Sequence, residues 1–256
     1  MTTQPESWRT PPARLLLGKD EAHVWRVVLD QTTPVTQAFL RILSPDELER
    51  AARYHFQKDR DHFVVARGGL RTILSRYLNV EPARLLFCYD AYGKPSLSEP
   101  SGRPPLRFNV SHAHGLALYG FTLDRRIGID IEHIREDFAS EQIAERFFSQ
   151  REVAMLRALP VEMKTEGFFN CWTRKEAYIK AIGHGLSMPL DRFVVSLAPG
   201  EPAALLSVAD NPQEAFRWSI KELTPDPGFV AAVVVEGHDW RLSCWRWDAG
   251  QARNHL

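Results

Sequence analysis

The sequence predicts an α+β protein assembled from two similar halves, and three observations carry that reading. Runs such as HVWRVVLD (23–30) and GFVAAVVVE (228–236) have the alternating or continuously apolar pattern of strands. Between them lie segments whose apolar residues recur at spacings of three and four, the mark of helices with one buried face. The anchors of these elements also repeat: Ser44 precedes Phe63 of the next helix by 19 residues, and Ser149 precedes Phe169 by 20. A duplicated unit with its functional cleft between the copies fits that repeat.

Taken in order, residues 1–12 (MTTQPESWRTPP) are polar and proline-rich, as in a loose tail, and HVWRVVLD is the first strand. LSPDELERAARY opens a helix, with Ser44 as cap, Pro45 in the first helical position and Glu47 where a capping box puts its acid. Phe63, Ala66, Leu70, Ile73, Leu74 and Tyr77 mark a second helix over Asp59–Leu78. A short strand near Leu85–Tyr89, a turn around YGKP (92–95) and a loop over SLSEPSGRPP (96–105) follow. LALYGFTL (116–123) and IGIDIE (127–132), separated by DRR, read as a β-hairpin. Residues 141–158 and 166–182 read as two helices, the second stopped by Gly183, and FRWSIKEL, GFVAAVVVE and WRLSCWRW as closing strands. The expected divisions are a tail 1–18, halves 19–125 and 126–247, and a tail 248–256.

Lys plus Arg and Asp plus Glu both total 32 in 256 residues, so no global field argues for nucleic acid or a membrane surface. Cys88, Cys171 and Cys244 form no C-x-x-C pair, which speaks against a zinc ribbon or a disulfide framework and for a reduced, cytoplasmic setting. No apolar run approaches the ~18 residues of a membrane span.

The chemistry gathers in three places. In RRIGIDIEHI, Ile127, Ile129 and Ile131 take one strand face, so Asp130 and Glu132 share the other, about 6.6 Å apart along the strand, while His133 turns away. Two such carboxylates repel unless a cation lies between them. In WTRKEAYIK, Trp172, Glu176 and Lys180 fall at i, i+4 and i+8 of a helix, with Lys175 beside them. In RFNVSHAHG, Asn109, Ser111 and His112 can bond phosphate oxygens, although His112 reads equally well as a structural histidine or half of a metal site. Singly, each pattern fits an ordinary solvated face or ion pair. Together, three carboxylates without a suitably spaced Cys or His favour a hard ion such as Mg²⁺, and Lys180, Lys94, His112, Arg50, Arg53 and Arg67 are cations suited to a phosphate or pyrophosphate.

GKP (93–95), FNVSH (108–112), GIDIE (128–132) and WTRKEAYIKAIGHGL (172–186) stand in the order and spacing of the motifs of 4′-phosphopantetheinyl transferases of the surfactin-activating type, which this chain resembles from about Leu43 to Val195. The resemblance implies two α+β halves in pseudo-twofold arrangement, with coenzyme A as co-substrate and Mg²⁺, or Mn²⁺, in the cleft between them. It implies transfer of the 4′-phosphopantetheine arm to a serine of an apo acyl or peptidyl carrier protein, with release of 3′,5′-ADP, by a monomer. Carried over by motif, Asp130, Glu132 and Glu176 are the metal acids, and Glu176 and Lys180 the catalytic pair. Lys94, Ser111, His112, Lys175 and Lys180 are expected on the coenzyme A phosphates, with Arg50, Arg53 and Arg67 at its adenosine end. An unperturbed Glu titrates near 4.3, so Glu176 is expected ionised at neutral pH.

Two other readings remain open. A Mg²⁺-dependent nuclease also uses D-x-E with a lysine, but the position two after the second acid is Ile134 here, and the neutral charge gives no DNA footprint. A non-catalytic coenzyme A or carrier-binding relative is the other, against which the intact acids and Lys180 stand. The short trimeric acyl-carrier-protein synthases share part of the acid pattern at about half this length.

Overall fold

The computed structural model describes residues 7–90, 93–98, 105–139, 141–183, 188–209 and 211–248. Most of the proline-rich loop, Tyr92 of the expected turn and nearly all of the last tail lie outside them. The element order is β1 (Glu21–Val28), α1 (Thr33–Leu40), α2 (Pro45–Ala52), α3 (Gln57–Leu78), β2 (Phe87–Tyr89), β3 (Pro95–Leu97), β4 (Leu106–Ala113), β5 (Leu116–Leu123) and β6 (Ile127–His133). It continues with α4 (Glu141–Phe147), α5 (Gln150–Ala158), α6 (Val161–Ile182), β7 (Phe193–Val195), β8 (Leu205–Val208), β9 (Trp218–Leu223), β10 (Phe229–Glu236) and β11 (Arg241–Arg246).

Among the described residues the two halves repeat one topology, a strand, three helices and four more strands, to which the second adds β11. The central sheets run β1-β5-β4 and β6-β10-β9, the same order in each copy. They pack face to face through Val24, Leu118, Ile129, Val233 and their neighbours, and each carries its helices on its outer side. Trp25, Phe39, Leu70 and Tyr119 fill the space under α3, while Phe168, Phe169, Ala177 and Val234 fill the space under α6. The expected fold of two similar α+β halves is therefore what forms.

Local chemistry sets the boundaries. Ser44 and Ser149 each open a helix with a capping box, closed by Glu47 and Glu152. The 22-residue helices α3 and α6 both end on a left-handed residue, Asn79 at φ 54° and Gly183 at φ 75°.

Three expectations change. β5 and β6 form no hairpin: β5 already has β1 on one edge and β4 on the other, and β6 pairs with β10 instead. The hairpin is β4–β5, turned by His114 (φ 42°) and Gly115 (φ 80°), the pair of positive φ angles that a tight two-residue turn needs. The helix expected over 141–158 is two helices, because the Ser149 box restarts the chain. Finally, β11 leaves its own half and runs parallel to β1, completing the first sheet.

Candidate functional site

The acids sit where β6 meets α6, and a glycine brings the two together. A Cβ on Gly128 would fall 2.0 Å from the Ala177 carbonyl oxygen and 2.4 Å from the Ala181 nitrogen, so only glycine lets α6 lie this close to β6. Ile127, Ile129 and Ile131 point inward between the sheets, at most 2% exposed. Asp130 and Glu132 face α6. Asp130 Oδ1 accepts from Lys180 Nζ at 2.6 Å and from Ser111 Oγ at 2.9 Å, and Lys180 Nζ also donates to Ser111 Oγ at 3.0 Å. The cation that the two carboxylates require is therefore, in the first place, Lys180.

One ammonium does not balance three carboxylates. Burial, and then the charge of Asp130, push Glu132 up to about 7, against the pull of Lys180 and Arg135 and with a further push from Glu176. Glu176 is raised for the same two leading reasons, with Lys180 opposing. Asp130 Oδ2 is buried with no hydrogen-bond partner. An orphaned carboxylate oxygen amid excess negative charge fits a second cation, and a donor set of carboxylate oxygens fits a hard one. Among the described residues no three His, Cys, Asp or Glu side chains already converge to hold a metal, so an ion here would take the rest of its shell from water or phosphate oxygens.

The other wall belongs to the first half. Arg50, Tyr54, Phe63, Arg67, Ser111 and His112 line one cleft of about 180 Å³, which brings four of the residues expected to bind coenzyme A together. Arg67 is fixed by Glu47 Oε1 at 3.3 Å and by the Tyr89 hydroxyl at 3.2 Å, and its Nη1 is buried without a partner. Arg50 lies over the Phe63 ring at 5.4 Å. Lys94 is half-buried and donates to the Lys180 carbonyl at 2.5 Å, near the negative end of the α6 dipole. Burial, and then the like charges of Lys180, Arg107 and Arg126, lower it to about 8, with Asp90 opposing.

Other expected site residues lie apart. Lys175 is fully buried and faces away from the acids, in an ion pair with Glu152 at 2.7 Å and hydrogen bonds to the Leu190 and Phe193 carbonyls at 2.6 Å. All three of its donors are used, so this expected phosphate ligand is a structural residue. Arg53 is exposed at the end of α2 and does not line the cleft. Trp172 joins Phe138, Phe147 and Phe168 in the core. Sequence reasoning also missed Glu47 and Tyr89 as the groups that aim Arg67. The capping-box position of Glu47 was visible; its second partner on α3 was not.

Two family models match, one to each half: 4′-phosphopantetheinyl transferase, N-terminal, over residues 30–119, and 4′-phosphopantetheinyl transferase superfamily over residues 126–234. The chain is 43% identical to the 4′-phosphopantetheinyl transferase HetI of Nostoc sp., over 94% of this chain and 98% of that protein. It is 30% identical to the 4′-phosphopantetheinyl transferase Sfp of Bacillus subtilis, over 80% of this chain and 87% of that protein. A solved structure of Helicobacter pylori holo-[acyl-carrier-protein] synthase in complex with coenzyme A overlaps 43% of this chain and 99% of its own, with 25% identity and a TM-score of 0.35. With both halves matched and one relative aligned along nearly its whole length, the chain belongs to the 4′-phosphopantetheinyl transferase family.

Proposed function

We infer that this protein moves the 4′-phosphopantetheine arm of coenzyme A onto a serine hydroxyl of an apo acyl or peptidyl carrier protein. The observation that carries the reading is the cluster of Asp130, Glu132, Glu176, Lys180 and Ser111, set against the cleft lined by Arg50, Arg67 and His112. The family relation supports it.

Asp130, Glu132 and Glu176 are the residues that would hold Mg²⁺ or Mn²⁺, an ion that would offset charge on the pyrophosphate oxygens. Glu176, directly or through a water, takes the proton from the carrier serine. The serine oxygen then forms its bond to the β-phosphorus, the bond from that phosphorus to the bridging oxygen breaks, and 3′,5′-ADP leaves with the electron pair. Lys180 offsets charge on the transferring phosphoryl group, and Ser111 holds the ammonium in place. His112 and the arginines orient the nucleotide, so most of the acceleration comes from positioning and electrostatics. Because one chain supplies both walls of the cleft, the proposed working unit is a monomer; its cysteines, which form no disulfide among the described residues, suit a cytoplasmic setting.

The test is mass spectrometry of apo carrier proteins incubated with this protein, coenzyme A and Mg²⁺. A gain of about 340 Da on the carrier serine, lost with EDTA and with Asp130→Ala, is the expected result. If Glu176→Gln keeps near-wild-type turnover, the role given to Glu176 is wrong.

A further inference from the structure

β4 and β6 are both edge strands of their sheets, and no ladder joins them among the described residues. An open strand edge leaves a row of backbone donors and acceptors without partners. At this joint a side chain takes the place of a ladder bond: Asn109 Oδ1, on β4, accepts the Ile129 N–H of β6 at 2.8 Å. Asn109 is only 4% exposed. Ile129 is the residue before Asp130, and Ser111, two residues along β4 from Asn109, donates to the Asp130 carboxylate. The sequence put Asn109 among the groups able to bond phosphate oxygens, whereas its acceptor faces the backbone of the neighbouring half.

We propose that Asn109 is a positioning residue for the reaction, acting through the Ile129 backbone to set where Asp130 stands relative to Ser111 and Lys180. The role rests on the reading of Asp130 as an acid of the active site. β6 is registered against β10 by its ladder and against α6 by the Gly128 contact, but its placement against β4 depends on side chains. Asp130 takes bonds from β4 and α6 at once, so a slip of β6 along β4 changes one of those distances and not the other. Without the Asn109 acceptor, the Ile129 N–H would be unpaired at a buried joint, and β6 would shift or admit water to satisfy it.

The experiment compares Asn109→Leu, similar in size and without an acceptor, with Asn109→Asp, which keeps one. Amide hydrogen exchange at Ile129, kcat, and KM for coenzyme A are measured on each folded protein. Asn109→Leu is expected to speed Ile129 exchange by about tenfold or more and to lower kcat by about 10- to 100-fold, with KM within about twofold of wild type. Asn109→Asp is expected to keep Ile129 protected and to recover most of kcat. Unchanged exchange in Asn109→Leu overturns the proposal, as does faster exchange with unchanged kcat. A raised KM at unchanged kcat also overturns it and makes Asn109 a coenzyme A ligand. An Asn109→Asp variant as impaired as Asn109→Leu in both readouts overturns it too. Wild-type protein that modifies no carrier would count against the functional reading alone, because the exchange comparison needs no turnover.

Discussion

The two halves share an anchor and differ in the face it supports. In the first, Ser44 caps a helix, Glu47 closes the box, and Arg71 on α3 meets Glu47 at 2.7 Å while bonding the Pro82 and Leu85 carbonyls. In the second, Ser149 caps, Glu152 closes the box, and Lys175 on α6 meets Glu152 at 2.7 Å while bonding the Leu190 and Phe193 carbonyls. Each buried cation ties a capping box to the loop that follows its long helix. The strands beneath those helices have diverged. β1 presents Trp25 and Val27 to α3, with Arg76 over the Trp25 ring at 5.4 Å. At the corresponding place β6 presents Gly128, Asp130 and Glu132 to α6, with Lys180 on Asp130. One copy of the frame keeps a mainly apolar layer there, and the other fills the same space with the carboxylates proposed to carry the chemistry.

Breaking the anchors gives the largest expected effect. Lys175→Met leaves Glu152 buried without its cation and should cost about 3 to 5 kcal/mol of unfolding free energy in urea. Arg71→Met should cost less, about 1 to 3 kcal/mol, because Arg67 stays within 3.3 Å of Glu47. Equal losses would mean that Arg67 does not share the work.

His23 sharpens the comparison by pH. Burial holds it down at about 4 from 6.5 despite the pull of Glu21, with Tyr77 on its Nδ1 and the Trp245 ring beside it. Its folded value is depressed, so its contribution is complete above about pH 6.5 and is lost as the pH falls toward 4, about 3 kcal/mol in all. His23→Gln should flatten that part of the stability profile; an unchanged profile would assign the acid loss elsewhere.

The close-packed glycines separate activity from stability. Gly128→Ala forces backbone apart from backbone and should lower kcat by about 100-fold. Gly68→Ala meets the side chain of Phe39, from its ring to its Cβ, at 2.3 to 2.6 Å, and should cost about 1 to 3 kcal/mol with the turnover of folded molecules retained. The smallest effect lies at the helix ends: Gly183→Ala should destabilise by about 1 kcal/mol, whereas Asn79→Gly should be close to neutral in a thermal melt.

Much of this was legible in the sequence because it is local. The Ser44 box needs four residues, and the alternation of Ile127, Ile129 and Ile131 fixes which face Asp130 and Glu132 share. What failed was non-local. DRR between two apolar runs looks like a hairpin turn, yet both edges of β5 are taken by strands that the local pattern does not name. Lys175 adjoins Glu176 in sequence, but one helical step is about 100° of rotation, enough to turn its ammonium into the core. The roles of Glu47 and Asn109 depend on partners 20 or more residues away.

The parallel pairing of β11 with β1 also orders events during synthesis. β1 ends at Val28 and β11 begins at Arg241, so more than 200 residues are added before the strand that covers β1 exists. At ribosomal rates of about 5 to 20 residues per second, that edge stays open for roughly 10 to 40 s. Premature release leaves the first half with an uncovered strand edge, a template for pairing with another nascent chain.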